Sequence, residues 1–535
     1  NELMTTGGIE QRLAAPAIFA ALIVGAPAAA VLVSLAGPYG DAIRHVMDTV
    51  AFGYFLNTLL LCAIVGLFSA AFGIGAALLT AVCDFPLRRF FAYALAFPLA
   101  TPAYIAAYAY ADLLGPFGAL APVANAAAAL GLPSIKSLPG AALILSLTLY
   151  PYVYLTARAA FAAQSASVME TARMLGAAPL KAAFTVLLPM ARPAIAGGVA
   201  LAMMETAAEF GVADYFGVPT LSVGIFRTWH SFGDLSAAAQ LASSLFLFSL
   251  LLVVFESAGR RGRSSDAPRV SGGDILFPLK GAAAAGAGAF CALLTLAGFA
   301  VPAAAIAAKI DPALWAYASR GLASTISNSF FIAAAGVIAA MALTLPLAYS
   351  ARYGRSAFLR FAVRTATLGY AVPGAVIAIG ILSVFSFARD LIGPAVWMTA
   401  GPVALVYAYA VRFMTGSYNA TTGGLAQIDP GLDAAARTLG ASGAAIARRI
   451  HAPLLRRAAL AGATIVFVDI VKELPATLIL RDFNFETLAT RVYRLAGDER
   501  LAEAAPEALL LIAIGALPII FFNSLSGRRA RSVAE

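Results

Sequence analysis

The chain has 535 residues, of which 61% are hydrophobic and only 12% are charged. A soluble globular protein of this length would need far more polar surface, so the composition predicts an integral membrane protein. The formal net charge of +9 lies in short clusters between apolar runs, which indicates membrane topology and argues against nucleic-acid binding.

The apolar runs are long enough to cross a bilayer as helices of about 20 residues, which favours an all-α membrane protein. The run at 13–36 is too long for a cleaved signal peptide and is interpreted as a retained first helix. About 12 transmembrane helices are expected, in two parallel-repeat halves of about six. The predicted spans are 13–36, 52–82, 90–113, 138–161, 194–215, 237–257, 276–307, 326–350, 365–387, 395–414, 458–480 and 506–524.

A polar, basic stretch rich in Gly and Ser at 259–274 is predicted to be a cytoplasmic linker between the halves 1–258 and 275–535. Most of the 36 Lys and Arg residues fall in loops on one side of the predicted spans. The positive-inside rule makes that side cytoplasmic. Both chain termini are then expected in the cytoplasm.

One stretch occurs twice, as ETARMLGAAPLKAAFTVLLP at 170–189 and as AAARTLGASGAAIARRIHAP at 434–453. Gly176 and Gly440 are 264 positions apart, and the closing prolines repeat that separation. Each copy is predicted to form two short helices joined at a Gly that adopts a left-handed conformation. Repetition at one long separation indicates a duplicated membrane unit.

The first copy resembles the cytoplasmic coupling loop of binding-protein-dependent ABC importer permeases. This loop, at 169–193, carries the family's spacing at Glu170, Ala172, Gly176, Leu188 and Pro189. In that family the loop docks into a separate ATPase subunit. The resemblance therefore implies an ATP-binding cassette dimer as a partner, and ATP-driven motion that enters the membrane here.

The second copy, the loop at 432–457, departs from the family's spacing. It keeps Ala436, Gly440 and Pro453, but Asp433 stands one position before the place of the family's glutamate. The second loop is therefore expected to dock through Asp433 as a shifted acid, or to dock without an acid.

Two pairs of acids follow the loops: Glu205 and Glu209 in the fifth span, and Asp469 and Glu473 in the eleventh. The members of each pair are four residues apart and are predicted to share a helix face. An isolated carboxylate at membrane depth costs about 2.5 kcal/mol or more, so such residues need a polar interior or a partner.

Two roles for these acids stay open. In the first, they line a translocation path, with Glu209 and Glu473 as transient oxygen ligands of a hard cation. Alternatively they are protonated, or paired with groups such as Lys472, and only hold helices together.

The segments at 204–242 and 468–505 resemble the fused permeases of ferric-iron importers, and the resemblance spans nearly the whole chain. It implies uptake of ferric iron across the bacterial inner membrane, with delivery by a periplasmic binding protein. Relatives in that family handle thiamine, polyamines, phosphonates or sulfate, so these substrates are alternatives. The charged last outer loop is predicted to dock the binding protein through Arg481, Asp482, Arg491 and Arg494.

Several enzyme motifs are missing from the sequence. No G-x-x-x-x-G-K-[ST] stretch occurs, so the chain is expected to bind no cofactor itself and to leave ATP to its partner subunit. No hydrolase motif occurs either, which argues against an enzyme. The three His residues lack metal-ligand spacing, and structural or solvated roles are favoured for them.

A secondary transporter whose buried acids carry protons or sodium is the competing interpretation, although it would have no subunit to dock on the loops.

Overall fold

The structure is a computed structural model that describes residues 2–174, 183–260, 277–314, 319, 321–354, 356–393 and 400–532. Gly176 and the linker from residue 261 onward lie outside the described residues, as do the side chains of Glu170 and Ala172. The predictions made for these positions therefore stay predictions.

The described chain is almost wholly helical. Before residue 261 the helices are α1 (Glu2–Val33), α2 (Asp41–Thr49), α3 (Ala51–Val82), α4 (Arg88–Ala94), α5 (Ala103–Leu113), α6 (Ala121–Ala129), α7 (Leu138–Met174), α8 (Leu188–Ala208), α9 (Gly211–Tyr215), α10 (Leu221–Phe232) and α11 (Leu235–Arg260). After residue 276 they are α12 (Gly281–Thr295), α13 (Val301–Ala307), α14 (Leu322–Tyr353), α15 (Ala357–Thr367), α16 (Gly374–Ile392), α17 (Ala400–Ala426), α18 (Pro430–Thr438), α19 (Gly443–Ile446), α20 (Ala452–Lys472), α21 (Pro475–Leu480), α22 (Leu488–Gly497) and α23 (Leu501–Ser532).

Short irregular turns connect or extend these helices. The 3₁₀ turns are Ser34–Ala36, Phe97–Ala100, Pro312–Leu314 and Leu368–Ala371, and the π turns are Ala183–Leu187, Leu296–Ala300 and Ala447–His451. In the described part of the chain the strands are limited to β1 (Cys83–Asp84) and β2 (Phe277–Pro278), which pair in parallel.

Nine helical segments among the described residues are long and apolar enough to cross a membrane. A tenth is formed if the pair Arg88–Ala100 and Ala103–Leu113, bent by 91°, counts as one span. The spans expected at 395–414 and 458–480 correspond to α17 and α20, which are helices but are not among these segments. The protein is thus an all-α, multi-pass membrane protein, and the count of 12 helices stays a prediction.

The helices form two compact units, each assembled from separate stretches of chain. Unit one comprises Asn1–Val46, Ile225–Phe246 and Gly321–Thr490. Unit two comprises Met47–Gly224, Leu247–Arg320 and Arg491–Glu535. Each unit takes segments from both sides of the predicted linker, so the units differ from the sequence halves 1–258 and 275–535.

In unit one, α1 packs against α14, α15 and α16, which follow it by about 300 residues in the chain. The contact with α16 is close, because a Cβ on Gly380 would lie within 3 Å of the backbone of Pro27. The Tyr407 hydroxyl donates a hydrogen bond to the Ile23 carbonyl at 2.6 Å, which ties α17 to the same helix. Small residues and side-chain hydrogen bonds are the usual means of joining helices in a membrane.

In unit two, α3, α7 and α8 pack closely through glycines. A Cβ on Gly73 would lie 2.6 Å from the Cβ of Val153, and one on Gly198 would lie 2.8 Å from the Cα of the same residue. The buried Tyr154 hydroxyl donates to the Ala92 carbonyl at 2.8 Å. These contacts hold the helix that leads into the first coupling loop.

Candidate functional site: helix breaks and coupling loops

Glu209 and Glu473 lie where α8 and α20 end. Glu209 has φ −68° and ψ 128°, and Glu473 has φ −67° and ψ 130°, so both are extended. The 3.6-residue helical period no longer applies past such a break. The prediction that Glu209 shares a helix face with Glu205, and Glu473 with Asp469, stays a prediction, because the helix breaks only after these two residues. Glu205 and Asp469 lie in the last turn before each break and are half-buried.

The two carboxylates cap the short helices that follow the breaks. Glu209 accepts a hydrogen bond from the backbone N–H of Val212 at 3.0 Å, at the start of α9. Glu473 accepts from the N–H groups of Ala476 and Thr477 at 2.9 and 3.0 Å, and from the Thr477 hydroxyl at 2.7 Å. A carboxylate at a helix N-terminus satisfies otherwise unpaired donors and is stabilised by the helix dipole. For the break after Glu473 the sequence signal was Pro475, since proline favours the first turn of a helix.

A cation lies close to Glu473. A Cβ on Gly374 would lie within 3 Å of both the Arg412 guanidinium and a carboxylate oxygen of Glu473. Glycine at the start of α16 therefore lets both groups approach one point. Nη1 of Arg412 is buried and makes no hydrogen bond with the described residues. The positive charge of Arg412 offsets the negative charge of Glu473. The site therefore suits an incoming cation less well than the sequence predicted.

Glu209 has different surroundings, which include the phenol of Tyr108. Tyr108 is fully buried, interacts electrostatically with Glu209 and packs edge-on against Tyr215 with 4.5 Å between ring centroids. The Tyr493 hydroxyl donates to Asp214 at 2.6 Å. Among the described residues, no three His, Cys, Asp or Glu side chains come together as a metal cluster. The first acid thus interacts with one phenol, that of Tyr108, and the second is accompanied by an arginine.

The second coupling loop contains the predicted helix–glycine–helix arrangement. Gly440 has φ +81° and follows the end of α18. Its N–H bonds to the Arg437 carbonyl at 2.9 Å, and the next N–H bonds to the Ala436 carbonyl at 3.0 Å. This pair of bonds is the Schellman arrangement that a left-handed glycine allows. The prediction for Gly440 is confirmed.

A π turn precedes the membrane helix in each loop. Ala183–Leu187 leads into Leu188 and Pro189 at the start of α8, and Ala447–His451 leads into Pro453 at the start of α20. Proline has no N–H for the regular helical bond, so the backbone just before it is free to widen into a π turn.

Asp433 is buried, with 3% of its surface exposed. Its Oδ1 lies 2.8 Å from Nε2 of His451, and its Oδ2 accepts from Tyr353 at 2.5 Å and from Arg352 at 3.2 Å. The side chain is directed toward α14, which favours the second expectation, that this loop docks without an acid. The structural role favoured for His451 is confirmed.

The last outer loop has a mixed character. Asp482 and Arg494 are exposed, whereas Arg481 is half-buried and donates to the Phe485 carbonyl at 3.2 Å. Arg491 is only 8% exposed, and its Nε lies 3.1 Å from Oε1 of Glu507, so its guanidinium is not available for docking as predicted. Sequence reasoning missed Phe483, which is 96% exposed beside Asp482.

The chain is similar to known permeases along most of its length. No protein-family model matches it. The Fe(3+)-transport system permease protein FbpB 2 of Haemophilus influenzae is 25% identical over 483 residues, covering 87% of this chain and 88% of that protein. The sulfate transport system permease protein CysT of Salmonella typhimurium is 26% identical over 256 residues, 46% of this chain and 90% of that protein. The molybdenum transport system permease protein ModB of Azotobacter vinelandii is 30% identical over 175 residues, 31% of this chain and 75% of that protein. The chain belongs to the ABC transporter permeases.

Membership of this family indicates which kinds of protein the permease works with. ABC importer permeases work with an ATPase and a substrate-binding protein, and the relatives are membrane subunits, not enzymes themselves. The apolar helices and the relatives together indicate a multi-pass inner-membrane protein.

The Schellman glycine predicts the effect of one substitution in the permease. We expect Gly440→Val to cost about 1 to 2 kcal/mol, because a β-branched residue is strained at a left-handed φ. The loop should then lose its shape and bind the ATPase subunit more weakly, which co-purification measures. Gly443→Val is the matched control, since Gly443 is exposed and has open space where a Cβ would lie. Equal recovery of the ATPase with both variants would contradict the prediction.

The buried acid of the second loop predicts a pH dependence. Burial raises the pKa of the Asp433 carboxyl, but hydrogen bonds from Tyr353 and His451 and the charges of His451 and Arg352 outweigh it, so the pKa lies below its ordinary 3.8. A carboxyl with a lower pKa in the folded state stabilises the fold above its ordinary pKa, and this contribution is lost as the pH falls through the folded value. We expect the melting temperature of the permease to begin to fall as the pH approaches 3.8 and to go on falling below it, and to fall less in Asp433→Asn. Thermal unfolding in detergent at stepped pH measures this, and parallel curves would refute it.

Proposed function

We propose that the chain is the fused permease of an ABC importer that translocates ferric iron, delivered by a periplasmic binding protein and powered by a separate ATPase dimer. The observation that carries the proposal is the similarity to a ferric-iron permease over 87% of the chain. The sulfate and molybdenum permeases match 46% and 31% of it, and they make an oxyanion the alternative cargo.

The same proposal treats the chain as two parallel-repeat halves. Helix bounds support it: α3 and α14 both have 32 residues and begin 271 positions apart. The π turns and the helices after them, α8 and α20, repeat at 264 positions with equal lengths.

Matching hydrogen bonds also support duplication. The Asn57 amide donates to the Pro219 carbonyl at 3.0 Å, and the Asn328 amide donates to the Glu486 carbonyl at 3.1 Å. The neighbouring Thr58 hydroxyl accepts from the N–H of Leu221 at 2.9 Å, just as the Ser329 hydroxyl accepts from that of Leu488 at 2.7 Å. In each half one polar pair thus fixes the start of the second helix after the break, α10 or α22.

In this function the two coupling loops receive the ATPase dimer. ATP-bound closure of that dimer would move the loops and, with them, α8 and α20, which carry the four path acids Glu205, Glu209, Asp469 and Glu473. Iron, as cargo, would meet carboxylate and phenol oxygens near Glu209, and hard cations prefer such ligands. Both chain termini would lie in the cytoplasm.

The binding protein would dock on the outer loops. In unit one, Asp482 and the half-buried Arg481 supply charge that steers association, and Phe483 supplies an apolar anchor next to Asp482 in the chain. In unit two, the exposed Arg494 supplies charge. Arg491 is left out of this surface because it pairs with Glu507.

The test is the ATPase activity of the chain in nanodiscs with its ATPase subunit, with and without loaded binding protein. Stimulation by the iron-loaded binding protein alone would support both the importer and the metal. Stimulation only by a sulfate- or molybdate-loaded protein would keep the importer and replace the cargo. Failure to associate with any ATPase would overturn the proposal in favour of a secondary transporter.

A further inference from the structure

A network of buried polar side chains joins the second coupling loop to a membrane helix. Asp433 of α18 bonds to Arg352 and Tyr353, which lie in the last turn of α14. His451, at the end of the π turn, lies 2.8 Å from Asp433 and 3.2 Å from the Tyr349 hydroxyl. We call these five residues the loop-two network.

Arg352 extends the network to a third element. Its guanidinium donates to the carbonyl of Leu425 and, at 3.2 Å, to that of Ile428, where α17 ends. The exposed fractions of the Arg352, Asp433 and His451 side chains are 14%, 4% and 1%. The central charges are thus removed from water and have specific partners, the condition under which a polar network is rigid.

The first loop has apolar residues at the corresponding positions. The separation of 271 places Leu78, Ala81 and Val82 opposite the three α14 residues, and the separation of 264 places Leu187 opposite His451 and Met169 opposite Asp433. Ala81, Val82 and Leu187 lie in one buried hydrophobic cluster, with Leu78 packed against it. At these four positions unit two therefore has apolar contact where unit one has hydrogen bonds and ion pairs, while the side chain of Met169 lies outside the described residues.

The two kinds of contact transmit movement differently. Hydrophobic contact has no directional preference, so apolar surfaces oppose sliding and rotation only through the fit of their side chains. Charge-assisted hydrogen bonds depend on distance and angle, so they resist both sliding and rotation. A shift of α18 is therefore passed to α14 through fixed bonds, beyond what the connecting chain passes to α17 and α20.

We infer that the loop-two network is the link through which displacement of the second coupling loop reaches α14, and that the two loops of this permease are mechanically unequal. The inference rests on the proposed coupling to an ATPase. Asp433 and its partners are positioning residues, since they contact neither ATP nor cargo. In this arrangement the acid that resembles a docking residue serves to hold the loop to its own unit.

A transplant variant tests the inference. Tyr349→Leu, Arg352→Ala, Tyr353→Val, Asp433→Met and His451→Leu together give the second loop the residues of the first, and no buried charge of the network is left unpaired. We expect the variant to retain the ATPase subunit and to hydrolyse ATP, but to take up about fivefold less cargo per ATP. Asp429→Asn is the control, because Asp429 is exposed and caps α18 through a 2.8 Å bond to the N–H of Gly431, outside the network.

A second measurement covers the case in which the transplant variant does not fold. A spin label on Ala351→Cys, an exposed position in α14, reports whether that helix responds to ATP. The response should be reduced when Asp433→Asn is added and kept when Asp429→Asn is added. Normal uptake per ATP in a folded transplant, or an unchanged label response with Asp433→Asn, would overturn the inference. Transport by the wild-type chain in the same assay keeps this result separate from failure of the proposed function.

Discussion

Replacing both Glu209 and Glu473 by glutamine should lower cargo uptake at least tenfold while the permease still folds and binds its ATPase subunit. Acids that line a path raise the local concentration of a cation, and such focusing changes rates by about 10 to 1,000-fold. Glutamine keeps one side-chain oxygen, which suffices for the single N–H bond that caps α9 and for one of the two N–H groups that Glu473 caps at α21. Uptake of labelled iron into proteoliposomes that contain ATP measures the effect.

The single variants should differ. Glu209→Gln should account for most of the loss, because Arg412 already offsets the charge of Glu473. Asp390→Asn is a control, since Asp390 is exposed and paired with Arg389. Wild-type uptake by a folded double variant would exclude a role for these acids in moving a cation. Equal losses from the two single variants would exclude the difference in surroundings described above.

The coupling region was the part of the fold most open to prediction from sequence. Gly440 was expected to take a left-handed conformation, because a helix-forming segment stops there and a second one begins. The structure has the glycine at φ +81° with the two bonds of a Schellman turn. Such features depend on a few consecutive residues, so local rules describe them well.

The roles of Asp433 and Glu473 could not be obtained in the same way. Spacing placed Asp433 near a docking position, but only the tertiary structure brings Arg352, about 80 residues earlier, to its side chain. Glu473 was expected inside one continuous span at 458–480, but the backbone breaks just after it and Pro475 begins the next helix. In both cases a contact or a backbone angle supplied what sequence spacing could not.

The packing of α1 against α14, α15 and α16 also lay beyond sequence reasoning. A membrane helix that is apolar on all sides has no amphipathic face to indicate its neighbours. Close contacts such as Gly380 against Pro27 decide the pairing, and glycines of this kind occur in most of the predicted spans. Which helices form each compact unit could therefore be learned only from the structure, although the apolar runs themselves were evident in the sequence.

Replacing Arg491 by methionine should destabilise unit two by about 3 to 5 kcal/mol, the usual cost of breaking a buried ion pair from one side. Glu507 is 0% exposed, and its Oε1 lies 3.1 Å from Nε of Arg491, so the variant would leave a carboxylate deep in the protein without this cation. Adding Glu507→Leu should recover most of the stability, because a matched apolar pair is often as stable as the buried ions it replaces. Thermal unfolding in detergent, followed by size-exclusion chromatography, measures each step.

Arg500→Met provides the comparison, since Arg500 pairs with Glu503 at 2.6 Å with half of its side chain exposed. An exposed pair of this kind contributes only about 0.2 to 1 kcal/mol, so this variant should melt close to the wild type. If Arg491→Met were no less stable than Arg500→Met, the pair with Glu507 would not hold α22 to α23. Arg491 would then again be a candidate for binding-protein docking, as its place in a charged outer loop first indicated.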